Sequence, residues 1–274
     1  MTDSTGLGDL HTCAWDVTNV SAAEVTSIKQ QAALHGDEAA IVASCQRVEV
    51  YHQRDGCDCA AQERWHGRAA IARMAEVAAG LHSIVLGEAQ ILGQVRTALA
   101  ESAGPPRQYG EVAVAAARAL RRETQWDTDS GHLLDRALAL TNTPPQGSLL
   151  VLGAGSMARL VARRAFAAGF NRVTIASRRP HEDHWFAPHR ADHVLLSDIT
   201  SLADVDVVVT CLGSGAPPIA AASLPAAGLV VDLGGPRNIA GLPANATFVA
   251  ISDLAAASDH TDAASRQVLR NRLG

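Results

Sequence analysis

A mixed α+β domain followed by a doubly wound α/β domain is the fold class that the sequence predicts, and three observations carry it. Pro144-Pro145-Gln146-Gly147 breaks the chain, and the sequence changes character there. Beyond the break, short apolar runs at 149–152, 173–176, 207–211, 229–233 and 248–251 alternate with Ala- and Arg-rich helical segments. These runs show almost no in–out alternation, as suits a parallel sheet covered on both faces. Ahead of the break, 40–43 and 48–52 read as strands, whereas 62–79, 89–102 and 111–122 carry helical periodicity. Gly104-Pro105-Pro106 is a second break, inside the first domain, and a segment ending in 266–274 reads as one short C-terminal helix. The expected domains are therefore 1–143, 144–252 and 253–274.

Composition limits the function classes. The 274 residues include 47% hydrophobic and 19% charged residues, enough apolar surface to offset chain entropy. Aromatic residues make up 4%, so a base-stacking platform is not expected. The formal charge of −5 leaves no global basic field to draw the protein onto nucleic acid, and any RNA contact has to be local. No apolar stretch reaches the ~20 residues of a membrane span, and residues 1–9 have neither a basic start nor an apolar run. A cytoplasmic location and no membrane partner are expected. Cys13, Cys45, Cys57, Cys59 and Cys211 form an odd, scattered set unlike a disulfide framework.

The most readable local signal is Leu149-Leu150-Val151-Leu152-Gly153-Ala154-Gly155-Ser156-Met157-Ala158, a strand running into a GxGxxA turn that opens a helix. Gly153 permits the tight turn, Gly155 lets the backbone approach a pyrophosphate, and Ala158 lets helix and strand pack closely. The helix N-terminus then faces the anion. This predicts a Rossmann-type dinucleotide domain, with a structural loop as the alternative. The second strand ends in Ser177-Arg178-Arg179 rather than the carboxylate of NAD sites, so NADPH is favoured over NADH. A solvated basic turn is the alternative, more for Arg179 than for Arg178. Cys211 and Gly213 follow the strand that usually lines the nicotinamide, and Cys211 reads as a packed small residue rather than a nucleophile.

In the first domain, Ser44-Cys45-Gln46-Arg47 places a thiol beside a guanidinium, which favours the thiolate. At this point the residues carry a resemblance. Ser44-Cys45-Gln46-Arg47-x-Glu49-x-Tyr51 resembles the (S/T)-C-N-R-x-E-x-Y signature of the glutamyl-tRNA reductase family. The long block from Gly80-Leu81-His82-Ser83 through Gly87-Glu88-Ala89-Gln90 to Gln94-Val95 is similar to that family's G-L-D-S-x-V-x-G-E-x-Q-I-x-x-Q-V. Arg121-Arg122-Glu123-Thr124, the glycine turn, the stretch from Val231-Asp232 to Ile239, and Ser252-Asp253-Leu254 follow in the family's order. The similarity spans about residues 40–254.

The resemblance implies an oxidoreductase of tetrapyrrole biosynthesis. In it the Cys45 thiolate attacks the aminoacyl ester of a charged tRNA, and NADPH reduces the resulting thioester to an amino aldehyde, glutamate-1-semialdehyde in the parent family. It implies Arg47 as the clamp for a substrate carboxylate. Ser44, Gln46, Ser83, Glu88, Ala89, Gln90 and Gln94 are the implied remainder of the amino acid pocket, with Glu88 against the α-ammonium. Ser83 and Glu88 have a plainer alternative, capping the helix that follows. Glutamyl-tRNA is then the expected substrate and partner, no metal is expected, and the oligomeric state is open.

The sequence departs from the pattern at several points. Arg73 stands at the position of the family's functional histidine, and a guanidinium is no neutral acid–base group near pH 7. The family's Asn is Gln46, and its Asp is His82, which reads as an exposed loop histidine or as a replacement imidazole. Residues 253–274 are expected to be a remnant of the family's spinal helix, without the dimerisation domain and its parent-type dimer. Two alternatives follow: a non-catalytic NADP-binding regulatory or partner-binding homologue, and an oxidoreductase acting on a free aldehyde or carrier-bound acyl group. Cys57-Asp58-Cys59 with His52 and His66 reads as a loop rather than a zinc site. Arg118, Arg121 and Arg122 read equally as tRNA phosphate contacts or a solvated helix face. His181, His184, His189 and His193 read as an irregular surface segment.

Overall fold

The structure, a computed structural model, describes residues 10–17, 20–36, 38–44, 46–53, 59–83, 86–124, 132–179, 191–213, 216–254, 267 and 271. The chain divides into two compact units, Met1–Thr128 with Ser258–Gly274, and Asp129–Ala257.

The first unit is α+β. Strands β1 (His11–Asp16), β2 (Ala40–Ala43), β3 (Arg47–His52) and β4 (Glu63–His66) form one sheet in the order β2-β3-β1-β4. Its helices are α1 (Ala22–Ala33), α2 (Arg68–Ala79), α3 (Ala89–Glu101) and α4 (Gly104–Thr124). Antiparallel register sets Tyr51 opposite Thr12 and Ala40, and Glu49 opposite Ala14 and Val42. One sheet face thereby carries Leu10, Ala40, Val42 and Tyr51 into a core with Met74, Leu81, Val95 and Leu120. The other packs Cys13, Trp15, Val48 and Val50 against Val25 and Ala32 of α1.

Two helix expectations change here. The 62–79 segment splits, because Gly67 at φ +54 ends the chain's run as a helix and Glu63–His66 pairs with β1 instead. Gly104-Pro105-Pro106 starts α4 rather than interrupting the domain, since proline in a first helical turn lacks an N–H that has no intrahelical partner anyway.

The second unit holds α5 (His132–Thr141), β5 (Ser148–Leu152), α6 (Ser156–Ala168), β6 (Arg172–Ser177), β7 (Asp192–Leu195), β8 (Val205–Thr210), β9 (Ile219–Ala220), β10 (Ala227–Asp232), β11 (Ile239–Ala240) and β12 (Thr247–Ala250). Six of these strands make a parallel sheet in the order β12-β10-β8-β5-β6-β7. This is the doubly wound Rossmann order, with its switch point between β5 and β8. Leu150, Leu152, Val208 and Val230 are fully or almost fully buried in its core. α5 packs on α6, so this unit starts ahead of the Pro144–Gly147 break. His193 lies in β7, paired opposite Ile175, which corrects the irregular reading of its segment; His181, His184 and His189 lie outside the described residues. Near the C-terminus, Gln267 and Asn271 are helical, and Gln267 Nε2 donates to Asn271 Oδ1 at 3.2 Å. Among the described residues, no helix is long and apolar enough to cross a membrane.

Candidate functional site

In the first unit, β2 and β3 are joined by a tight turn that Ser44 holds. Its hydroxyl accepts from the N–H groups of Gln46 (3.1 Å) and Arg47 (3.2 Å), and its own N–H donates to the Arg47 carbonyl at 2.9 Å. Ser44 thus has a backbone role, a serine-capped turn. Cys45, the expected nucleophile, lies outside the described residues, as do Ile84, Val85 and the side chain of Ala89.

Gln46 and Arg47, immediately after Cys45, line a cavity of about 820 Å³ together with Glu49, Arg73, Glu76 and His82. A charged network fills its wall. Glu49 is fully buried and receives Arg73 Nη2 at 2.6 Å, Arg73 Nε at 3.2 Å, Arg47 Nη1 at 3.2 Å and the Tyr51 hydroxyl at 2.6 Å. Burial pushes the Glu49 carboxyl up, yet Arg73 and then Arg47 hold it below the usual carboxylate range. The same carboxylate, after burial, pushes the Tyr51 phenol well up, so Tyr51 is a donor. Arg73 also lies 4.3 Å over the Trp65 ring. Its remaining nitrogen, Nη1, reaches the His82 ring at 3.0–3.1 Å.

His82 is not an exposed loop histidine. Its side chain is 14% exposed, its Nε2 lies 2.6 Å from Glu76 Oε2, and its carbonyl accepts from Arg47 Nη2. Burial, joined by the Arg73 and Arg47 charges and opposed by Glu76, lowers its pKa to about 4, so the imidazole is neutral at pH 7. Arg73, placed among the catalytic positions, is a buried cation bound into Glu49, with no proton to exchange near neutrality.

Ser83, Glu88, Gln90 and Gln94 sit around the start of α3 and are not among the residues lining this cavity. Ser83 and Glu88 are buried. Glu88 occupies the N-cap of α3 and makes no side-chain cap hydrogen bond. Arg121 joins this region to α4 by donating to the carbonyls of Ala79 (3.1 Å) and Glu88 (3.0 Å).

In the second unit the glycine turn has the expected geometry. Gly153 has φ +120, and a Cβ there would stand 2.5 Å from the Cys211 carbonyl oxygen, so glycine is required. Gly155 is the N-cap of α6, offers no side-chain cap, and has open space where a Cβ would be. The first N–H groups of α6, from Ser156, Met157 and Ala158, therefore meet an open cradle of the kind that receives a pyrophosphate. Ala158 is fully buried against the sheet. Ala154 follows Gly153 in the turn. These residues fit a dinucleotide.

Ser177, at the end of β6, is 8% exposed; its hydroxyl donates to the Arg179 carbonyl at 2.6 Å and lies 2.9 Å from His193 Nε2. Arg178 and Arg179 are exposed. A depression of about 530 Å³ beside these strand ends is lined by Arg178, Leu195, Leu196, Ile199, Thr200 and Ile219, an apolar slot with a cation at its edge.

The loop after β8 is positioned by a carboxylate that pattern reading did not place in the site. Asp232, fully buried, accepts from the Thr210 hydroxyl at 2.7 Å and from the N–H groups of Gly234, Asn238 and Ile239 at 2.9–3.0 Å. Asn238 Oδ1 in turn accepts from the Leu212 N–H at 2.9 Å, between Cys211 and Gly213. Asp232→Ala should therefore lower the stability of this unit by about 3 kcal/mol, because several buried donors lose a charged acceptor. Denaturant titration checks this, and a loss below about 1 kcal/mol would contradict the role given to Asp232.

The units together define a class: an α+β domain with a charged cavity, joined to a parallel α/β domain whose first turn is built for a dinucleotide. The glutamyl-tRNA reductase N-terminal domain model matches residues 14–106, and the shikimate/quinate 5-dehydrogenase model matches residues 137–257. The glutamyl-tRNA reductase of Corynebacterium diphtheriae is 32% identical, over 86% of this chain and 65% of its own length. That of Corynebacterium efficiens is 29% identical, over 74% of this chain and 53% of its own. Among solved structures, glutamyl-tRNA reductase from Methanopyrus kandleri aligns over 97% of this chain and 78% of its own, at 20% identity and a TM-score of 0.47. The chain is similar in sequence to these glutamyl-tRNA reductases and spans 65% or less of the length of these two curated relatives.

Proposed function

We propose that the chain reduces the aminoacyl ester of a charged tRNA, glutamyl-tRNA first among them, to an amino aldehyde with NADPH as reductant. The observation that carries this reading is that Gln46 and Arg47, the residues directly after Cys45, line a charged cavity in a chain that also carries a dinucleotide turn.

The Cys45 thiolate attacks the ester carbonyl carbon; the C–S bond forms as the C–O bond to the tRNA ribose breaks, and the ribose oxygen leaves with a proton. NADPH, when bound, supplies a hydride. The thioester at Cys45 accepts it more readily than a carboxylate does, and release of the aldehyde breaks the C–S bond and returns the thiolate. Arg47 has N–H donors beyond those given to Glu49 and to the His82 carbonyl, and these hold the substrate carboxylate. Glu49 keeps that guanidinium in place. Arg178 beside the apolar slot receives the ribose 2′-phosphate, which is the basis for NADPH over NADH. In this reading the first unit binds the substrate and the second unit, Asp129–Ala257, binds the dinucleotide.

One observation favours a second reading, a non-catalytic NADP-binding homologue: Arg73, at a position expected in the chemistry, is locked to Glu49. Single turnover decides between them. Excess full-length protein, charged tRNA and NADPH should yield aldehyde, more slowly with NADH. No aldehyde and no acyl adduct from glutamyl-tRNA or any other charged tRNA would leave the second reading.

A further inference from the structure

We infer that the cleft between α3 and α4 binds the phosphate backbone of the tRNA that carries the substrate. The inference rests on the tRNA reading above and extends it to a surface.

The cleft, about 300 Å³, presents Arg96, Arg107 and Arg118 over a floor of Leu99 and Val114, with Glu111 at its rim. Leu99 and Val114 are buried, whereas all three arginines and Glu111 are exposed. The two helices meet closely at the floor, since a Cβ on Gly110 would stand 2.2 Å from a Leu99 methyl. Arg107, Glu111 and Arg118 fall on one stripe of α4 by helical spacing, and Arg96 faces them from α3. From Arg107 to Arg118 the helix rises ~16 Å, long enough to follow several consecutive phosphates of one strand.

Other arginines are spent within the fold. Arg73 and Arg47 bind Glu49, Arg164 binds Asp135, and Arg121 binds two carbonyls. Among the described residues, no carboxylate forms an ion pair with Arg96, Arg107 or Arg118. Three guanidiniums against one carboxylate make a local positive strip on a chain whose formal charge is −5. Guanidinium forks match phosphate oxygens in pairs. The strip also leads to the site: one turn beyond Arg118, Arg121 reaches the Glu88 carbonyl at the start of α3.

The test is fluorescence anisotropy of a deacylated tRNA transcript with the full chain, at several salt concentrations. The triple variant Arg96→Gln/Arg107→Gln/Arg118→Gln should bind at least ~10-fold more weakly at low salt. Its slope of log affinity against log salt should be shallower by about 2–3, the counterions that three phosphate contacts release. Arg163→Gln with Arg172→Gln, exposed cations of the second unit, should leave both unchanged. Equal binding by the triple variant, no binding by the wild type, or equal competition by an acidic polypeptide would overturn the inference. A wild type that binds tRNA through this cleft but forms no aldehyde from charged tRNA would remove the enzymatic reading and leave the surface standing.

Discussion

Cys45→Ser should reduce aldehyde formation from charged tRNA by at least ~1000-fold, about 4 kcal/mol of transition-state stabilisation, while NADPH affinity stays within a factor of two. The reason lies in the chemistry of the two atoms. A thiolate is accessible near neutral pH, whereas a serine hydroxyl needs an adjacent base. The imidazole found in the cavity wall, His82, is held neutral between Arg73 and Glu76 with a pKa of about 4, a poor base for a hydroxyl. An oxygen ester at position 45 would also accept hydride less readily than a thioester. Retention of more than about a tenth of wild-type turnover would show that Cys45 is not the nucleophile.

Glu49→Ala should cost the first unit about 3–5 kcal/mol, because it leaves Arg73 buried without its anion. Arg73 is 8% exposed and Glu49 fully buried, so little solvent screening intervenes. The acid response follows from the directions of the shifts. Glu49 has a folded pKa below its ordinary value, so its stabilisation is present above the unfolded carboxyl pKa and is lost as pH falls toward the folded one. His82 has a folded pKa of about 4 against an ordinary 6.5. Between those values the unfolded chain binds a proton that the folded chain does not, so stability falls as pH drops from about 6.5 to about 4. Urea titrations followed by Trp15 and Trp65 fluorescence should show the wild type weakening over that window, with the change smaller in His82→Asn. A Glu49→Ala loss under about 1 kcal/mol at pH 7 would contradict the buried ion-pair arrangement.

The parallel sheet was legible because its strands are buried on both faces. Runs such as Leu149–Leu152 and Val207–Val209 are apolar throughout, and no helical periodicity competes with them. The missed strands include the short, exposed or half-buried ones at sheet edges and also β1, a largely buried interior strand. Glu63–His66 reads as a polar helix start until Gly67 and its pairing with β1 are known, and Asp192–Leu195 is hidden in a polar, histidine-rich stretch. α1 carries its own signal in the sequence, since Ser21 and Glu24 form a reciprocal capping box. The glycine turn was legible because its chemistry is local in sequence. The charged wall of the cavity was not, because Arg73 and Glu49 are 24 residues apart and meet through the packing of α2 on the sheet. The same holds for Asp232, whose role depends on a loop folding back over it.

The most direct measurement is the intact mass of the protein after brief mixing with glutamyl-tRNA in the absence of NADPH, followed by peptide mapping. Thioester chemistry at Cys45 gives a glutamyl adduct on the peptide containing Cys45, absent from Cys45→Ser and discharged as aldehyde when NADPH is added. Aldehyde formation by the Cys45→Ser protein at the wild-type rate, or an adduct mapped to Cys211 or Cys59, would contradict it.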